Sequence, residues 1–179
     1  MSNLLEVKNL VTRFDITDGV MSRASARVHA VEDVSFEIKK GETLGLVGES
    51  GCGKTTTGRT ILGLEKATSG DIIFDGESVL KKTGRERFDF CRAVQMIFQD
   101  PYSSLNPRMS ILETLSEPIK VHQLHKKNDV NNRIVELLKQ VNLNPEFAKR
   151  YPHEFSGGQR QRISIARALA LEPRLIVCD

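Results

Sequence analysis

The sequence predicts an α/β fold, in which a parallel sheet is flanked by helices. Residues 44–47 form a continuous apolar run between glycines, which is typical of a strand buried on both faces. A helix is expected soon after it, over residues 54–64. Further along, four apolar residues recur at helical spacing: Ile134, Leu137, Leu138 and Val141. Residues 101–155 are therefore predicted to form a helical insertion.

The chain opens with two β-rich segments, residues 4–12 and 28–38. Three apolar residues of the second segment alternate with polar ones: Val34, Phe36 and Ile38. This alternation predicts a half-exposed sheet. The polar stretch between the segments, residues 15–27, is predicted to be a surface loop.

Shorter elements follow the predicted helix at residues 54–64. Strands are expected at residues 71–74 and 94–98, before the helical insertion. A further helix is predicted over residues 159–171, and a last buried strand over residues 175–178. Asp179 directly follows this strand.

Composition excludes several classes of protein. Of the 179 residues, 39% are hydrophobic and 27% are charged, which favours a folded globular domain over disorder. The apolar runs are far shorter than the roughly 20 residues of a membrane-spanning helix. The net charge of +3 is too small to indicate a nucleic-acid binder. The N-terminus has no secretory signal and the three cysteines are scattered, so a cytoplasmic protein with free thiols is expected.

The most specific motif is G-x-x-x-x-G-K-S/T, which lies between a predicted strand and a predicted helix. Its eight residues are Gly48, Glu49, Ser50, Gly51, Cys52, Gly53, Lys54 and Thr55. Glycines allow consecutive N–H groups to converge on phosphate oxygens, and the following helix N-terminus adds a positive dipole. Lys54 is expected to reach the β- and γ-phosphates, and the Thr55 hydroxyl to bind Mg²⁺. The alternative is a glycine-rich turn that binds nothing.

A second glycine motif precedes the helix predicted at residue 159. It consists of Ser156, Gly157, Gly158 and Gln159. It could be an anion-binding helix N-terminus, with the Ser156 hydroxyl as an extra donor, that contacts the γ-phosphate held by a second subunit. It could equally be an ordinary helix N-cap. Taken alone, the motif leaves both interpretations open.

These motifs, together with Gln99 in Phe-Gln-Asp and the closing Leu-Ile-Val-Cys-Asp, stand in the order found in ABC transporter nucleotide-binding domains. The segments VGESGCGKTTTGRTILGL, IFQDPYSSLNPRMS and YPHEFSGGQRQRISIARAL resemble the ATP-binding subunits of bacterial and archaeal dipeptide and oligopeptide importers. The resemblance runs from residue 4 to residue 179. Importers of nickel and other small solutes are similar, so the transported solute stays open.

The resemblance implies a P-loop NTPase core with a parallel sheet and flanking helices, an N-terminal antiparallel β subdomain and an inserted helical subdomain. Residues 1–100 and 159–179 would form the core with the β subdomain, and residues 101–158 the helical subdomain. The family places a glutamate general base directly after the aspartate matched by Asp179, and a switch histidine later. Residues 1–179 are therefore expected to be one incomplete domain that lacks its C-terminal part and sustained ATP hydrolysis.

The resemblance also assigns roles within a site for ATP and Mg²⁺. The loop residues Ser50, Gly51, Cys52, Gly53, Lys54, Thr55, Thr56 and Thr57 would wrap the phosphates, and Gly48 would belong to the same nucleotide site. Ser156 to Gln159 would act on the ATP of a second subunit. Gln99 would sense Mg²⁺ and couple to the membrane subunit, and Asp179 would hold the Mg²⁺ hydration shell. Phe14 is the candidate for stacking on adenine, with a core aromatic as the alternative.

The implied partners are a second ATPase subunit, identical or different, arranged head to tail, and integral membrane permease subunits. An extracytoplasmic solute-binding protein would act indirectly, and no nucleic acid is expected. The chain would lie on the cytoplasmic face of the plasma membrane. Two alternatives remain: an ABC-type ATPase of DNA repair or translation, and a nucleotide-binding fragment without turnover.

Overall fold

The computed structural model describes residues 3–16, 26–126 and 129–179. By its internal contacts the chain divides into two compact units, residues 1–90 and residues 91–179. We call them the N-terminal and the C-terminal unit. The predicted division into a core and a helical subdomain stays a prediction.

The N-terminal unit contains a four-stranded antiparallel sheet. Its strands are β1 (Asn3–Ile16), β2 (Ala26–Lys39), β3 (Ser69–Phe74) and β4 (Glu77–Ser78), in the order β2-β1-β3-β4. This confirms the antiparallel β subdomain. The predicted alternation in β2 is also confirmed, because its three apolar residues are half-buried and the polar residues between them are exposed.

The first two strands are longer than predicted, so the loop expected at residues 15–27 is wrong at both ends. Asp15 pairs with Arg27 across the two strands, and the Arg27 Nε lies 2.6 Å from the Asp15 carboxylate. Cross-strand ion pairs thus allow polar sequence to continue as strand where polarity alone predicts a loop. Residues 17–25 of the predicted loop lie outside the described residues.

Helix α1 (Lys54–Ile61) begins where it was predicted and ends earlier than residue 64. Its inner face contacts β1 and β2. Thr60 on this face is buried, and its hydroxyl oxygen lies 3.1 Å from that of Thr12 on β1. The buried apolar residues of this unit include Leu5, Val7, Leu10, Val31, Ile61 and Ile72.

The buried strand predicted at residues 44–47 is wrong for the described part of the chain. These residues pair with no described strand, and Leu44 and Leu46 are 43% and 47% exposed. Val47 is 94% exposed. An apolar run becomes a strand only where a neighbouring strand satisfies its backbone, and no described strand does so here.

The C-terminal unit contains a two-stranded parallel sheet formed by β5 (Val94–Ile97) and β6 (Leu175–Cys178). Both strands lie where they were predicted. The expectation that β6 is buried is wrong, because its first three residues are half-buried and Cys178 is exposed. In the described residues β6 pairs on one edge only, which leaves part of its surface uncovered.

Helices make up most of the C-terminal unit, which confirms the helical pattern predicted for residues 101–155. They are α3 (Pro101–Ser104), α4 (Ile111–Val121), α5 (Val130–Gln140) and α6 (Gly157–Leu169), and α2 (Gly84–Ala93) precedes β5. Short 3₁₀ turns lie at Pro145–Lys149 and Pro152–Glu154. The core includes the predicted apolar face of α5, packed with Ile111, Leu115, Ile119 and Ile163. Helix α6 begins at Gly157 rather than at residue 159.

Candidate functional site

The phosphate-loop motif folds around its own lysine. The Lys54 ammonium donates hydrogen bonds to the Gly48 carbonyl at 2.9 Å and to the Glu49 carbonyl at 2.6 Å. The Cys52 sulfur lies 3.5 Å from the same nitrogen. The loop carbonyls therefore hold a cation inside the curl of the backbone, and residues 48–52 are exposed to solvent.

Two glycines of this loop are required by the backbone itself. Gly51 and Gly53 adopt φ angles of +82° and +94°, which side chains other than glycine rarely tolerate. A Cβ on Gly53 would lie 2.1 Å from the Ala30 carbonyl oxygen of β2. The close approach of strand and loop at this point therefore excludes any side chain.

Helix α1 begins at the end of this loop without a side-chain cap, because its N-cap residue is Gly53. The first N–H groups of a helix lack partners within the helix, so an uncapped N-terminus at an open loop favours an anion. The Thr57 hydroxyl is turned back onto the Gly53 carbonyl at 2.9 Å, whereas Thr55 is exposed. The sequence and the fold thus place Thr55 rather than Thr57 at the open side.

Phe14 lies near the end of β1, opposite Val28 of β2. Both side chains are exposed, Phe14 by 39%, so the ring is not enclosed in the core. The described structure of the N-terminal unit therefore leaves this ring accessible to a flat ligand, and its adenine-stacking role stays a prediction.

Gln99 and Asp179 lie beyond the carboxyl ends of the two parallel strands. Gln99 follows β5 by two residues, and Asp179 directly follows β6. The Asp179 backbone N–H donates to the Ile97 carbonyl at 3.0 Å, which continues the parallel pairing past the strand end. Both side chains are exposed. The C-terminal unit therefore presents both residues at the carboxyl end of its parallel strands. Open α/β sheets bind ligands at this end.

The second glycine motif forms the N-terminus of α6. The Gln159 N–H donates to the Ser156 hydroxyl oxygen at 3.4 Å, and the Ser156 N–H donates to the Gln159 side-chain oxygen at 3.0 Å. This reciprocal pair is a capping box. The predicted N-cap is thus present, and the Ser156 hydroxyl oxygen is the hydrogen-bond acceptor in it. No described residue accepts the Ser156 hydroxyl proton, so the cap leaves that proton for a ligand.

Gly157 and Gly158 differ from the phosphate-loop glycines. Neither has a positive φ angle, and a Cβ on either would have no atom within 4 Å. Within the C-terminal unit, backbone conformation and packing would thus allow side chains at both positions. The two glycines leave the helix N-terminus bare, which is what the close approach of a ligand or partner would require.

The profile of the family described as ABC transporter matches residues 31–179, which include both glycine motifs, Gln99 and Asp179. The chain belongs to the ABC transporter family. None of the helices within residues 3–16, 26–126 and 129–179 is long and apolar enough to span a bilayer.

Curated relatives of this ABC transporter chain include ATP-binding proteins of importers. The chain is 52% identical, over 98% of its length, to the glutathione import ATP-binding protein GsiA of Pectobacterium atrosepticum. It is 54% identical, again over 98%, to the oligopeptide transport ATP-binding protein OppF of Bacillus subtilis. It spans 28% of the length of the first and 56% of the second.

Solved structures of other ABC proteins share its fold. The dimeric ATP-binding cassette MJ0796, in a post-hydrolysis state bound to ADP and phosphate, superposes with a TM-score of 0.85 at 29% identity. The match covers 98% of this chain and 73% of that one. CbiO1 of Clostridium perfringens superposes with a TM-score of 0.79 at 24% identity, over 100% of this chain and 66% of that one. The second likeness shows the fold alone.

Sequence reasoning missed one set of residues next to the second glycine motif of this ABC chain. Arg160 is buried in α6, directly after Gln159, and its guanidinium lies over the Tyr102 ring of α3. The burial of Arg160 is not expected from its residue type, because arginine is normally exposed. The available signal was its position on the same helical face as the apolar Ile163.

Proposed function

We propose that this chain binds MgATP and, within a complete subunit dimer, hydrolyses it to power the import of peptides or similar small solutes. The observation that carries the proposal is the Lys54 ammonium held by two loop carbonyls directly before the uncapped N-terminus of α1. A cation and a row of N–H groups at one exposed loop provide the charge and the donors that a triphosphate needs.

The residues present fit the phosphates of ATP. The loop is exposed, its two strained glycines set the curl, and its lysine is a fixed positive charge. A Cβ on Gly48 would lie 2.6 Å from the Cys52 sulfur, so glycine at this position gives the sulfur room within the tight curl of the loop. Ser50 to Thr56 would donate backbone N–H groups to the phosphates, and Phe14 would stack on the adenine.

Mg²⁺ prefers oxygen ligands, and each unit carries exposed oxygen donors of this kind. Thr55 would offer its hydroxyl, Gln99 its side-chain carbonyl, and Asp179 a carboxylate to the hydration shell. When bound, Mg²⁺ neutralises charge on the β- and γ-phosphate oxygens. Lys54 would place a second positive charge beside the same oxygens, and this charge would stabilise the negative charge that develops on the transferred γ-phosphoryl group and on the leaving ADP.

Ser156 to Gln159, which we call the signature motif, are proposed to act on the ATP of a second subunit. The support is the open hydroxyl proton of Ser156 and the two glycines that the C-terminal unit itself does not require. MJ0796, which shares the fold, is dimeric. A head-to-tail dimer, of identical or different subunits, would then place one signature motif against each phosphate loop.

The proposed partners and location are supported by the names of two relatives, which refer to the import of glutathione and of oligopeptides. The subunit would bind integral membrane permeases at the cytoplasmic face of the plasma membrane. An extracytoplasmic solute-binding protein would deliver the solute. Gln99, exposed beyond β5, would transmit the presence of Mg²⁺ to the permease contact.

The function is tested by reconstituting the complete importer in vesicles and measuring ATP-driven uptake of di- and oligopeptides and of glutathione. We expect uptake that requires ATP and that is lost in the Lys54→Ala variant. Lys66→Ala, which removes an exposed lysine outside the loop, is the matched control and should transport normally. ATP hydrolysis that responds to DNA or ribosomes, without uptake of any solute, would contradict the proposal.

A further inference from the structure

The segment that follows Gln99 is attached to helix α6. The Asp100 carboxylate accepts the Tyr102 N–H at 2.8 Å and so starts the short helix α3. The hydroxyl oxygens of Ser104 and Ser164 lie 2.9 Å apart. Arg167 of α6 donates to the Ser104 carbonyl. The chain therefore leaves the sheet after β5 and is bound directly to the face of α6.

Arg160 makes the contact nearest to the N-terminus of α6. Its Nε donates to the Pro152 carbonyl at 2.8 Å, and its guanidinium carbon lies 3.9 Å from the centroid of the Tyr102 ring. Arg160 is only 8% exposed, and no described carboxylate forms an ion pair with it. A buried guanidinium needs compensating partners, and here they are one carbonyl and one aromatic face.

Arg160, Ser164 and Arg167 recur at i, i+4 and i+7, so they lie on one face of α6. The same helix carries Ser156 to Gln159 at its N-terminus. One rigid element therefore bears the signature motif at its end and the segment after Gln99 on its side. A movement of either one along the helix axis must be accompanied by the other, as long as these contacts persist.

We infer that Arg160 is a positioning residue: through the Tyr102 ring it fixes the segment after Gln99 to α6, so that Gln99 and Ser156 move as one body. The inference rests on the proposed function and extends it to residues that touch neither nucleotide nor metal. Tyr102 is 70% exposed and so adds little to the core. The contact of Tyr102 with Arg160 is therefore the interaction through which Tyr102 would affect function.

The first test replaces Tyr102 in the complete transporter. Tyr102→Ala removes the ring without opening the core, so the protein should fold normally. We expect the kcat of ATP hydrolysis to fall about two- to fivefold, as the loss of a cation–π contact implies, while the affinity for ATP is unchanged. Tyr102→Phe keeps the ring and should restore the parent kcat. If Tyr102 contributed to stability alone, Tyr102→Ala would lower the unfolding temperature without lowering kcat at unchanged ATP affinity.

The second test asks whether the two residues act through each other. Arg160→Lys keeps the charge but loses the planar stacking and the fixed Nε bond. The double variant Arg160→Lys, Tyr102→Ala should be no slower than the slower single variant. Tyr151→Ala is the matched control, because Tyr151 is also an exposed tyrosine of this unit but stacks on His153. It should hydrolyse ATP like the parent.

A third readout is independent of catalysis. Hydrogen exchange at the amides of residues 102–104 should quicken in Arg160→Lys and Tyr102→Ala, with α5 unchanged. Parent exchange rates in both variants would overturn the inference, as would an unaltered kcat in Tyr102→Ala or additive losses in the double variant. If the parent transporter itself did not hydrolyse ATP, the proposed function would fail, and the exchange rates would still decide the attachment of α3 to α6.

Discussion

At the scale of single residues, the two glycine motifs are built for different reasons. Gly51 and Gly53 have backbone angles or contacts that exclude a side chain, whereas Gly157 and Gly158 have neither. The first pair is therefore part of the fold, and the second pair is open surface at a helix N-terminus. The two motifs look alike in the sequence, because glycine occurs both where the backbone excludes a side chain and where a ligand needs space.

A graded series of alanine substitutions tests the steric need in the phosphate loop. Gly51→Ala should cost about 1 to 2 kcal/mol of unfolding free energy because of its positive φ angle alone. Gly53→Ala should cost more, since its Cβ also meets the Ala30 carbonyl. Gly45→Ala, with neither problem, is the control and should lie within about 0.5 kcal/mol of the parent. Urea unfolding measures all three, and equal losses would show that the loop is not strained.

At the scale of elements, the sequence predicted those whose signal is local. The apolar spacing of α5, the start of α1 at Lys54 and the two strands β5 and β6 are where the pattern placed them. The strand predicted at residues 44–47 was wrong, because a strand needs a neighbouring strand to pair with and the apolar pattern does not show whether one is present. The loop expected at residues 15–27 failed because ion pairs across β1 and β2 are contacts distant in sequence.

The N-terminus of α6 allows capping and anion binding to be separated. Ser156→Ala should cost about 1 kcal/mol of stability through loss of the cap. Ser156→Asn and Ser156→Asp should both keep the cap, and the aspartate adds a charge that the helix dipole favours. If a phosphate approaches here, the aspartate repels it, so Ser156→Asp should lose most ATP turnover while Ser156→Asn retains far more.

The asparagine and aspartate variants are matched in size and differ in charge. Unfolding and phosphate release in the complete transporter are measured on the same preparations. Equal turnover of the two variants would mean that no anion reaches Ser156, and the motif would then be a helix cap only.

At the scale of the whole molecule, the residues proposed to hold nucleotide are divided between the two units. The phosphate loop and Phe14 belong to the N-terminal unit, and Gln99, Asp179 and Ser156 belong to the C-terminal unit. The sequence motifs predict the phosphate loop, Gln99, Asp179 and Ser156 as nucleotide-site residues, and the family resemblance adds Phe14 as a candidate. They could not show the carbonyl partners of Lys54 or the stacking of Arg160 on Tyr102, because those contacts depend on the folded backbone.

The proposed function depends on phosphate binding by the loop from Gly48 to Thr55, in which Lys54 supplies the positive charge. It is tested most directly by titration calorimetry of MgATP into the parent protein, Lys54→Ala and the control Lys66→Ala, after matched unfolding curves. Charge-assisted contacts are worth about 1.5 to 3 kcal/mol, so Lys54→Ala should bind MgATP roughly tenfold or more weakly, and Lys66→Ala like the parent. Equal affinity of Lys54→Ala and the parent would contradict the account.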